Sequence, residues 1–311
     1  MINREIIRLK IVQLIYSYYQ NPGKSLDVAE KELSFSLSKA YDLYQYLLAL
    51  LVDLHHVAQR RDEAREARDK RLGMKLTGTD ADHQFAVNRF LVQLETNEQL
   101  SAFREKQASI WEAEDTFLKR LYNSFVESDV YQMYLAKEDF SYDADREVVR
   151  KLYKTYVCNN EDFDELLEER SLYWNDDKDI VDSFVLKTIK RFREEAGAAQ
   201  ELLPEFSSDD DRTFALELFR ATISRADEVR ALIKENCKNW EFSRLALMDV
   251  IIMQIALTEI LTFPSIPVSV SLNEYLDITK IYSTPRSTSY VNGLLDHVVK
   301  KLKAEQKLFK Q

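Results

Sequence analysis

The stretch between residues 239 and 296 constrains the fold of this chain most strongly, because prolines divide it into helical segments. A long apolar run comes first and is followed by Pro264 and Pro267. A second helical pattern ends before Pro285, and a third begins near Tyr290. Proline interrupts a helix because it lacks a backbone N–H and its ring clashes with the preceding turn. We therefore predict three consecutive helices over these residues.

The composition indicates that the rest of the chain is helical as well. Only five glycines and five prolines occur in 311 residues, whereas 45% of the residues are hydrophobic and 31% are charged. This composition is more typical of long helices with one solvated face than of a loop-rich β-protein. We predict an all-α fold.

The cysteines and the apolar segments indicate a cytoplasmic protein. Cys158 and Cys237 lie far apart in the sequence and have no cysteine or histidine neighbour at metal-ligand spacing, so neither a disulfide framework nor a zinc site is expected. Polar and charged residues interrupt the apolar amino terminus at positions 4, 5, 8, 10 and 13, so it lacks the continuous apolar core of a signal peptide. The apolar run at 245–261 is interrupted by polar residues and is too short to cross a bilayer. We predict no membrane contact.

Negative charge is concentrated in the middle of the chain. The formal net charge is -10, and residues 138–211 alone sum to -12, which leaves +2 for the remainder. An anionic partner is therefore expected to bind the amino-terminal segment or the last third of the chain.

No catalytic, metal or cofactor motif is present in the sequence. His55, His56, His83 and His297 do not occur in an HExxH motif or beside a carboxylate at ligand spacing. The scattered glycines form no phosphate-binding loop, and there is no GxSxG motif. We therefore predict that the protein is not an enzyme and binds neither a metal nor a cofactor.

The first part of the chain divides into helical patterns. Residues 4–20 carry an apolar stripe, with Arg4, Arg8 and Lys10 predicted to lie off it. Ser25 is expected to start a second helix. A third is expected to begin at Tyr41 and to continue into the charged run of residues 60–71, which we interpret as a solvated surface helix and, as an alternative, as a basic RNA-binding face.

Two further breaks and an aromatic pattern follow. Residues 73–82 hold two glycines and form the first linker candidate, and residues 203–211 form the second. Apolar side chains between these breaks recur at helical spacing, which favours a helical core over a base-stacking platform; they are Trp111, Phe117, Leu121, Phe125 and Tyr131.

Both ends of the chain resemble one protein family. Residues 4–16 resemble its amino-terminal helix, residues 210–240 resemble its long central helix, and residues 239–296 resemble its carboxy-terminal half. The family is the NusB family of transcription antitermination factors, and Tyr290-Val291-Asn292-Gly293-Leu294-Leu295-Asp296 is the most specific match. The other matching residues are Asn239, Trp240, Arg244, Leu245, Asp249, Ile255, Ala256, Leu257, Glu259, Ile260, Leu261, Ile266, Pro267, Val268, Asn273, Glu274 and Lys280.

The resemblance implies a NusB-like bundle of two small helical subdomains. On this basis we expect residues 1–37 to form the amino-terminal helices and residues 206–311 the carboxy-terminal core. Residues 38–205 have no counterpart in the shorter family members, so we expect a helical insertion there, whose role the sequence leaves open.

The resemblance also implies a function in transcription. Family members bind boxA-type single-stranded RNA together with ribosomal protein S10 and join the RNA polymerase elongation complex during ribosomal RNA synthesis. By resemblance, the RNA surface combines the amino-terminal helix with the loops around Pro267 and before Tyr290. Phosphate contacts are expected from the basic residues Arg4, Arg8, Lys10, Lys280 and Arg286. Base contacts are expected from Tyr290 and Asn292 at the start of the last helix. Ser289 completes the predicted RNA-binding site.

Three positions depart from the family pattern. Ser269 and Ser289 replace residues that are basic in many family members, and Gln254 replaces a common arginine. These departures favour, as an alternative, a protein-docking scaffold that has lost RNA recognition. A third hypothesis, the accessory domain of an rRNA cytosine methyltransferase, lacks support because no cofactor-binding α/β domain is evident. The sequence leaves open whether the chain forms a homodimer.

The matched residues also suggest local structural roles. Ser271 and Glu274 have the spacing of a capping box. Ser287, Thr288 and Ser289 are candidate amino-terminal caps of the last helix. Gly293 would allow another backbone to approach that helix closely.

Overall fold

The computed structural model describes residues 1–73, 80–107, 109–137, 140–174, 176–237 and 242–308. Over these residues the chain forms α-helices and short 3₁₀ turns but no β-strand, and an isolated parallel bridge joins Ile2 to Phe206. The predicted all-α fold is confirmed. None of the helices seen in these ranges is long and apolar enough to cross a membrane.

The backbone divides into two compact units. The terminal unit consists of Ile2–Ser38 and Phe206–Gln311, and the middle unit consists of Met1 and Lys39–Glu205. The α-helices are, in order, α1 Arg4–Gln20, α2 Leu26–Leu72, α3 Ala81–Ala86, α4 Arg89–Glu95, α5 Glu98–Lys106, α6 Asp115–Val126, α7 Asp129–Lys137, α8 Tyr142–Tyr156, α9 Glu161–Arg170, α10 Lys178–Arg191, α11 Asp209–Ser224, α12 Ala226–Asn236, α13 Leu247–Thr262, α14 Val268–Tyr282 and α15 Pro285–Ala304.

Helix α13 forms the centre of the terminal unit. Its residues from Asp249 to Ile260 are all buried, and it contacts α1, α11, α12, α14 and α15. A helix that is apolar on every side is stable only when other elements surround it. The long apolar run of the sequence is therefore the core of this unit.

Prolines and capping residues set the ends of the helices around α13. Pro267 immediately precedes α14, and Pro285 lies in the first turn of α15. Thr284 caps α15 by accepting a hydrogen bond from the Ser287 N–H at 3.2 Å. The three helices predicted between residues 239 and 296 are present, but the last begins at Pro285 and not near Tyr290.

Three local predictions were wrong. Helix α2 is one continuous helix of 47 residues, whereas the sequence suggested separate helices from Ser25 and Tyr41. Thr284 caps α15 in place of the three residues proposed from the sequence. Ser271 and Glu274 do not form a capping box, because α14 begins at Val268 and both side chains bind residues of other helices.

The middle unit has an aromatic core. The aromatic and apolar residues predicted to be buried in α6, α7 and the turn before them are all buried. Trp111 is fully buried, donates a hydrogen bond to the Tyr46 carbonyl oxygen at 2.8 Å and packs against Phe163 at 5.4 Å between ring centroids. The aromatic pattern therefore indicates a core.

In the first linker candidate, residues 74–79 lie outside the described ranges.

Two histidines of α2 bind one carboxylate of α4. His55 Nδ1 and His56 Nε2 each lie 2.9 Å from the Glu95 carboxylate, and His55 Nε2 lies 2.7 Å from the Ala86 carbonyl oxygen. Burial alone would raise the pKa of Glu95, but the hydrogen bonds from His56 and His55 lower it below its ordinary value.

This lowered pKa predicts a pH-dependent effect of replacing Glu95 by glutamine. Stability from a carboxylate with a lowered folded-state pKa is present above the unfolded-state pKa of about 4.3 and is lost as the pH falls through the folded-state value. Because glutamine mimics the protonated form, the difference in unfolding free energy between wild type and Glu95→Gln should shrink as the pH falls from about 5 to about 3. Urea titrations check this, with the exposed Glu98→Gln as a control expected to show no such trend.

Candidate nucleic-acid interface

Arg4 lies at the surface where α1 begins. Asn3 caps this helix by accepting a hydrogen bond from the Ile6 N–H at 3.1 Å. The Arg4 side chain is 39% exposed, forms an ion pair with Asp211 at 3.1 Å and stacks over the Phe214 ring at 4.9 Å. Ion pairs at the surface are weak, so Asp211 holds this guanidinium only loosely.

Arg8 is buried and binds two carboxylates. Its Nε and Nη2 atoms each donate to Glu259 at 2.9 Å, and Nη1 donates to Glu274 at 3.1 Å. Although burial lowers it, these hydrogen bonds raise the pKa of Arg8 above its ordinary value. A guanidinium held by a bidentate buried pair is a structural cation.

Glu259 joins three helices of the terminal unit. Besides binding Arg8 of α1, its carboxylate accepts hydrogen bonds from Ser271 Oγ at 2.7 Å and Tyr275 Oη at 2.8 Å, both on α14. Glu259 itself lies on α13 and is fully buried. Four donors on one carboxylate offset the loss of hydration that burial imposes on the charge.

Lys10 is fully buried as well. The sequence placed Arg8 and Lys10 off the apolar stripe of α1 and assigned them phosphate contacts. The structure places both in the interior, because α11, α13 and α14 contact α1 and every residue from Ile6 to Val12 is buried. Lys10 has no exposed surface for RNA to contact, and Arg8 is only 3% exposed.

A cleft joins Arg4 to the loop before α14. Its volume is about 440 Å³. It is lined by Asn3, Arg4, Glu5, Arg8, Asp211, Ser265, Ile266, Pro267, Val270 and Glu274. The structure therefore brings the start of α1 and the Pro267 loop together, as expected from the family resemblance. Its carboxylates reduce the attraction of this cleft for phosphate.

The remaining predicted residues lie at the end of α14 and the start of α15. Lys280 is exposed and pairs with Asp277 at 2.5 Å. Arg286, Ser289 and Asn292 are exposed on α15. Ser289 Oγ donates to the Pro285 carbonyl oxygen at 3.2 Å.

Tyr290 is half-buried beside a cysteine. Burial and the neighbouring Cys237 thiol raise the pKa of its hydroxyl group, so it remains protonated at neutral pH. Gly293, three residues along, has no atom within 4 Å of the position that a Cβ would occupy. The space beside this glycine is therefore open to a partner.

The predicted residues form two groups along α14. Arg8 contacts Glu274, and Gln13 donates to Tyr282 Oη at 2.9 Å, so α1 and α14 run in the same direction. The Arg4 cleft lies at the start of α14, and Lys280 lies about 20 Å further along it at 1.5 Å per residue. The structure therefore does not gather all eight residues at one point.

The three departures from the family pattern have different structural contexts. Ser269 and Ser289 are exposed, so the basic residues common at these positions would reach solvent. Gln254 is fully buried, accepts from Arg230 Nε at 2.8 Å and donates to Tyr19 Oη at 2.8 Å. The identity of residue 254 therefore does not affect the outer surface directly.

Sequence reasoning missed the Arg8 and Glu259 pair, although a signal was present. A single glutamate in the apolar α13 pattern must be neutralised when buried, and Arg8 lies within an otherwise apolar helix. The separation of 251 residues between the partners hid their contact. Asn239 and Trp240, which contribute to the family resemblance, lie outside the described residues.

Comparison with known proteins gives one consistent result. The model of the NusB family matches residues 179–300. This match begins 27 residues before the boundary predicted at residue 206. No solved structure matches the chain.

A part of this chain aligns with most of the length of each of three curated relatives. The transcription antitermination protein NusB of Salinibacter ruber (strain DSM 13855 / M31) is 35% identical over 132 residues, which are 40% of this chain and 82% of the relative. That of Geobacter sp. (strain M21) is 33% identical over 122 residues, covering 39% and 83%. That of Koribacter versatilis (strain Ellin345) is 36% identical over 99 residues, covering 32% and 68%.

Proposed function

This chain belongs to the NusB family, and from that membership we propose that it is a non-enzymatic, cytoplasmic transcription antitermination factor. It binds boxA-type RNA together with ribosomal protein S10 and joins the RNA polymerase elongation complex during ribosomal RNA synthesis. The carrying observation is that the most family-specific stretch, residues 290–296, presents an exposed Asn292 on the helix that also carries the exposed Arg286.

The proposed RNA surface uses six of the eight predicted residues. Arg4, Lys280 and Arg286 contact phosphates and fix the position of the strand, because phosphate contacts carry no sequence information. Asn292 and the protonated Tyr290 contact bases, which are exposed in single-stranded RNA. Ser289 lies between Arg286 and Tyr290 in the sequence of α15. Arg8 and Lys10 support the fold from the interior.

We also propose the domain organisation expected from the sequence. Residues 1–37 and 206–311 form the NusB-like core, and residues 38–205 form an insertion in it. Support comes from the terminal unit, which is made of Ile2–Ser38 and Phe206–Gln311. Because the family match begins at residue 179, part of α10 also shares the family pattern.

Replacing both cations near the start of α15 tests the phosphate contacts. Lys280→Ala with Arg286→Ala should lower RNA affinity and reduce the slope of log K against log salt by about 1.4, because each lost single-strand phosphate contact lowers it by about 0.7. Fluorescence anisotropy of labelled boxA-type RNA, with S10 present and salt varied, measures both quantities.

Lys300→Ala is the matched control. Lys300 is 73% exposed and pairs with Asp296 on the same helix, much as Lys280 is 65% exposed and pairs with Asp277. This control should leave the salt slope unchanged. Equal slopes for wild type, the double variant and the control would exclude Lys280 and Arg286 from the RNA surface.

A protein-docking scaffold is the second candidate function. It is favoured by two observations: Ser269 and Ser289 leave exposed positions uncharged, and carboxylates line the Arg4 cleft. This function requires S10 or another transcription component to be retained in a pull-down after RNase treatment. It also requires that boxA-type RNA bind no better than a scrambled sequence.

A further inference from the structure

A histidine and two carboxylates converge in the middle unit, far from the proposed RNA surface in sequence. Asp62 and Glu66 lie four residues apart on α2, and His83 lies on α3. The ligand-type atoms of all three lie within 4.8 Å of one another, and Asp62 is buried. Residues four apart share one face of a helix, which explains why α2 presents both carboxylates to α3.

Each oxygen of the Asp62 carboxylate has a different partner. Oδ1 accepts from Arg65 Nη2 at 2.5 Å, and Oδ2 lies 2.9 Å from His83 Nδ1. Hydrogen bonds to the second oxygen of a ligating carboxylate are a common feature of metal sites, because they fix its orientation. Arg65 thus orients Asp62 towards His83.

The charges around this cluster do not balance. Arg65 also pairs with Asp80 at 3.3 Å, and Arg68 pairs with Asp69 at 2.9 Å. Glu66 forms no ion pair with any residue in the described ranges. Two arginines therefore face the four carboxylates of Asp62, Glu66, Asp69 and Asp80, which leaves two negative charges beside His83. Tyr122 separates two further opposite charges: Arg61 lies over its ring at 4.8 Å, and Asp82 accepts a hydrogen bond from its hydroxyl group at 2.7 Å. These two charges cancel in the count.

We propose that Asp62, Glu66 and His83 bind one divalent transition-metal cation of the Zn²⁺ or Mn²⁺ class. A divalent cation neutralises the two uncompensated charges. One imidazole with two carboxylates suits these ions, whereas Mg²⁺ and Ca²⁺ prefer oxygen ligands alone. The ion would replace the hydrogen bond between His83 and Asp62 and would link α2 to α3. This proposal is independent of RNA binding.

Metal binding by the full chain tests this proposal. After treatment with a chelator and exhaustive dialysis, isothermal titration with Zn²⁺ should show one equivalent bound, with Mn²⁺ as a second probe. His83→Gln and Glu66→Gln should each weaken binding by more than about tenfold, since even residues that only orient a ligand change affinity by about 10–100-fold. Zn²⁺ should raise the unfolding temperature of wild type but not of His83→Gln, whose folding is checked by circular dichroism.

Two control variants separate this site from others. Glu63→Gln changes an exposed glutamate on the same helix and should bind Zn²⁺ as wild type does. His56→Gln removes a histidine of the Glu95 cluster and should have no effect. The proposal is overturned if wild type binds no equivalent of Zn²⁺ or Mn²⁺, if His83→Gln binds as tightly as wild type, or if His56→Gln abolishes binding.

Discussion

Replacing Glu259 by alanine is expected to lower the free energy of unfolding by about 3–5 kcal/mol, because it leaves Arg8 charged and without its bidentate partner in the interior. The Arg8 side chain is 3% exposed and Glu259 is fully buried, so water cannot take over the lost contacts. Ser271 and Tyr275 also lose their shared acceptor. Chemical denaturation followed by circular dichroism measures the loss.

Glu274→Ala is the matched control for this prediction. Glu274 also binds Arg8, but it is 35% exposed and interacts through one hydrogen bond. Its loss should lower stability by about 1 kcal/mol or less, in the range of exposed pairs. Replacing Arg8 and Glu259 together by methionine and leucine should be less destabilising than Glu259→Ala, because no buried charge remains. Equal losses for Glu259→Ala and Glu274→Ala would contradict the central role assigned to Glu259.

Trp111→Ala is expected to have the second large effect, a loss of about 3–5 kcal/mol from the middle unit. The indole is fully buried against Phe163 and donates to the Tyr46 carbonyl oxygen. Alanine leaves a cavity and removes this donor from a buried acceptor. Urea denaturation gives the change, monitored by circular dichroism because the variant has lost one of the three tryptophans whose fluorescence would otherwise be compared.

Leu172→Ala serves as the control for the tryptophan variant. Leu172 is 84% exposed, so truncating it should change stability by less than about 0.5 kcal/mol. A Trp111→Ala variant as stable as Leu172→Ala would show that the aromatic side chains do not form the core of the middle unit.

The sequence was sufficient to predict features set by local chemistry. Prolines around residues 264–285 predicted the separation of the last three helices, and the spacing of Trp111, Phe117 and Phe125 predicted a buried aromatic face. The motif at residues 290–296 predicted the family to which the relatives belong. Each of these signals lies within one short segment and needs no knowledge of distant partners.

Features that depend on distant partners were not predictable in the same way. Arg8 looks like a surface cation until Glu259 is placed beside it, and Gln254 looks like a lost contact until its burial is known. His83 has no carboxylate at ligand spacing in the sequence, yet the fold brings Asp62 and Glu66 to it. The length of α2 was missed because nothing in the sequence shows that the helix starting near Ser25 continues without a break into the one predicted from Tyr41.

Titration of a boxA-type RNA against a scrambled RNA of the same length and composition tests the proposed function most directly. Both RNAs should be titrated with the full chain in the absence and in the presence of ribosomal protein S10, at low salt and at 0.15 M salt. We predict tighter binding of the boxA-type RNA, with a larger preference when S10 is present. Equal affinity for the two RNAs in the presence of S10, even at low salt, would contradict boxA recognition and favour the docking scaffold.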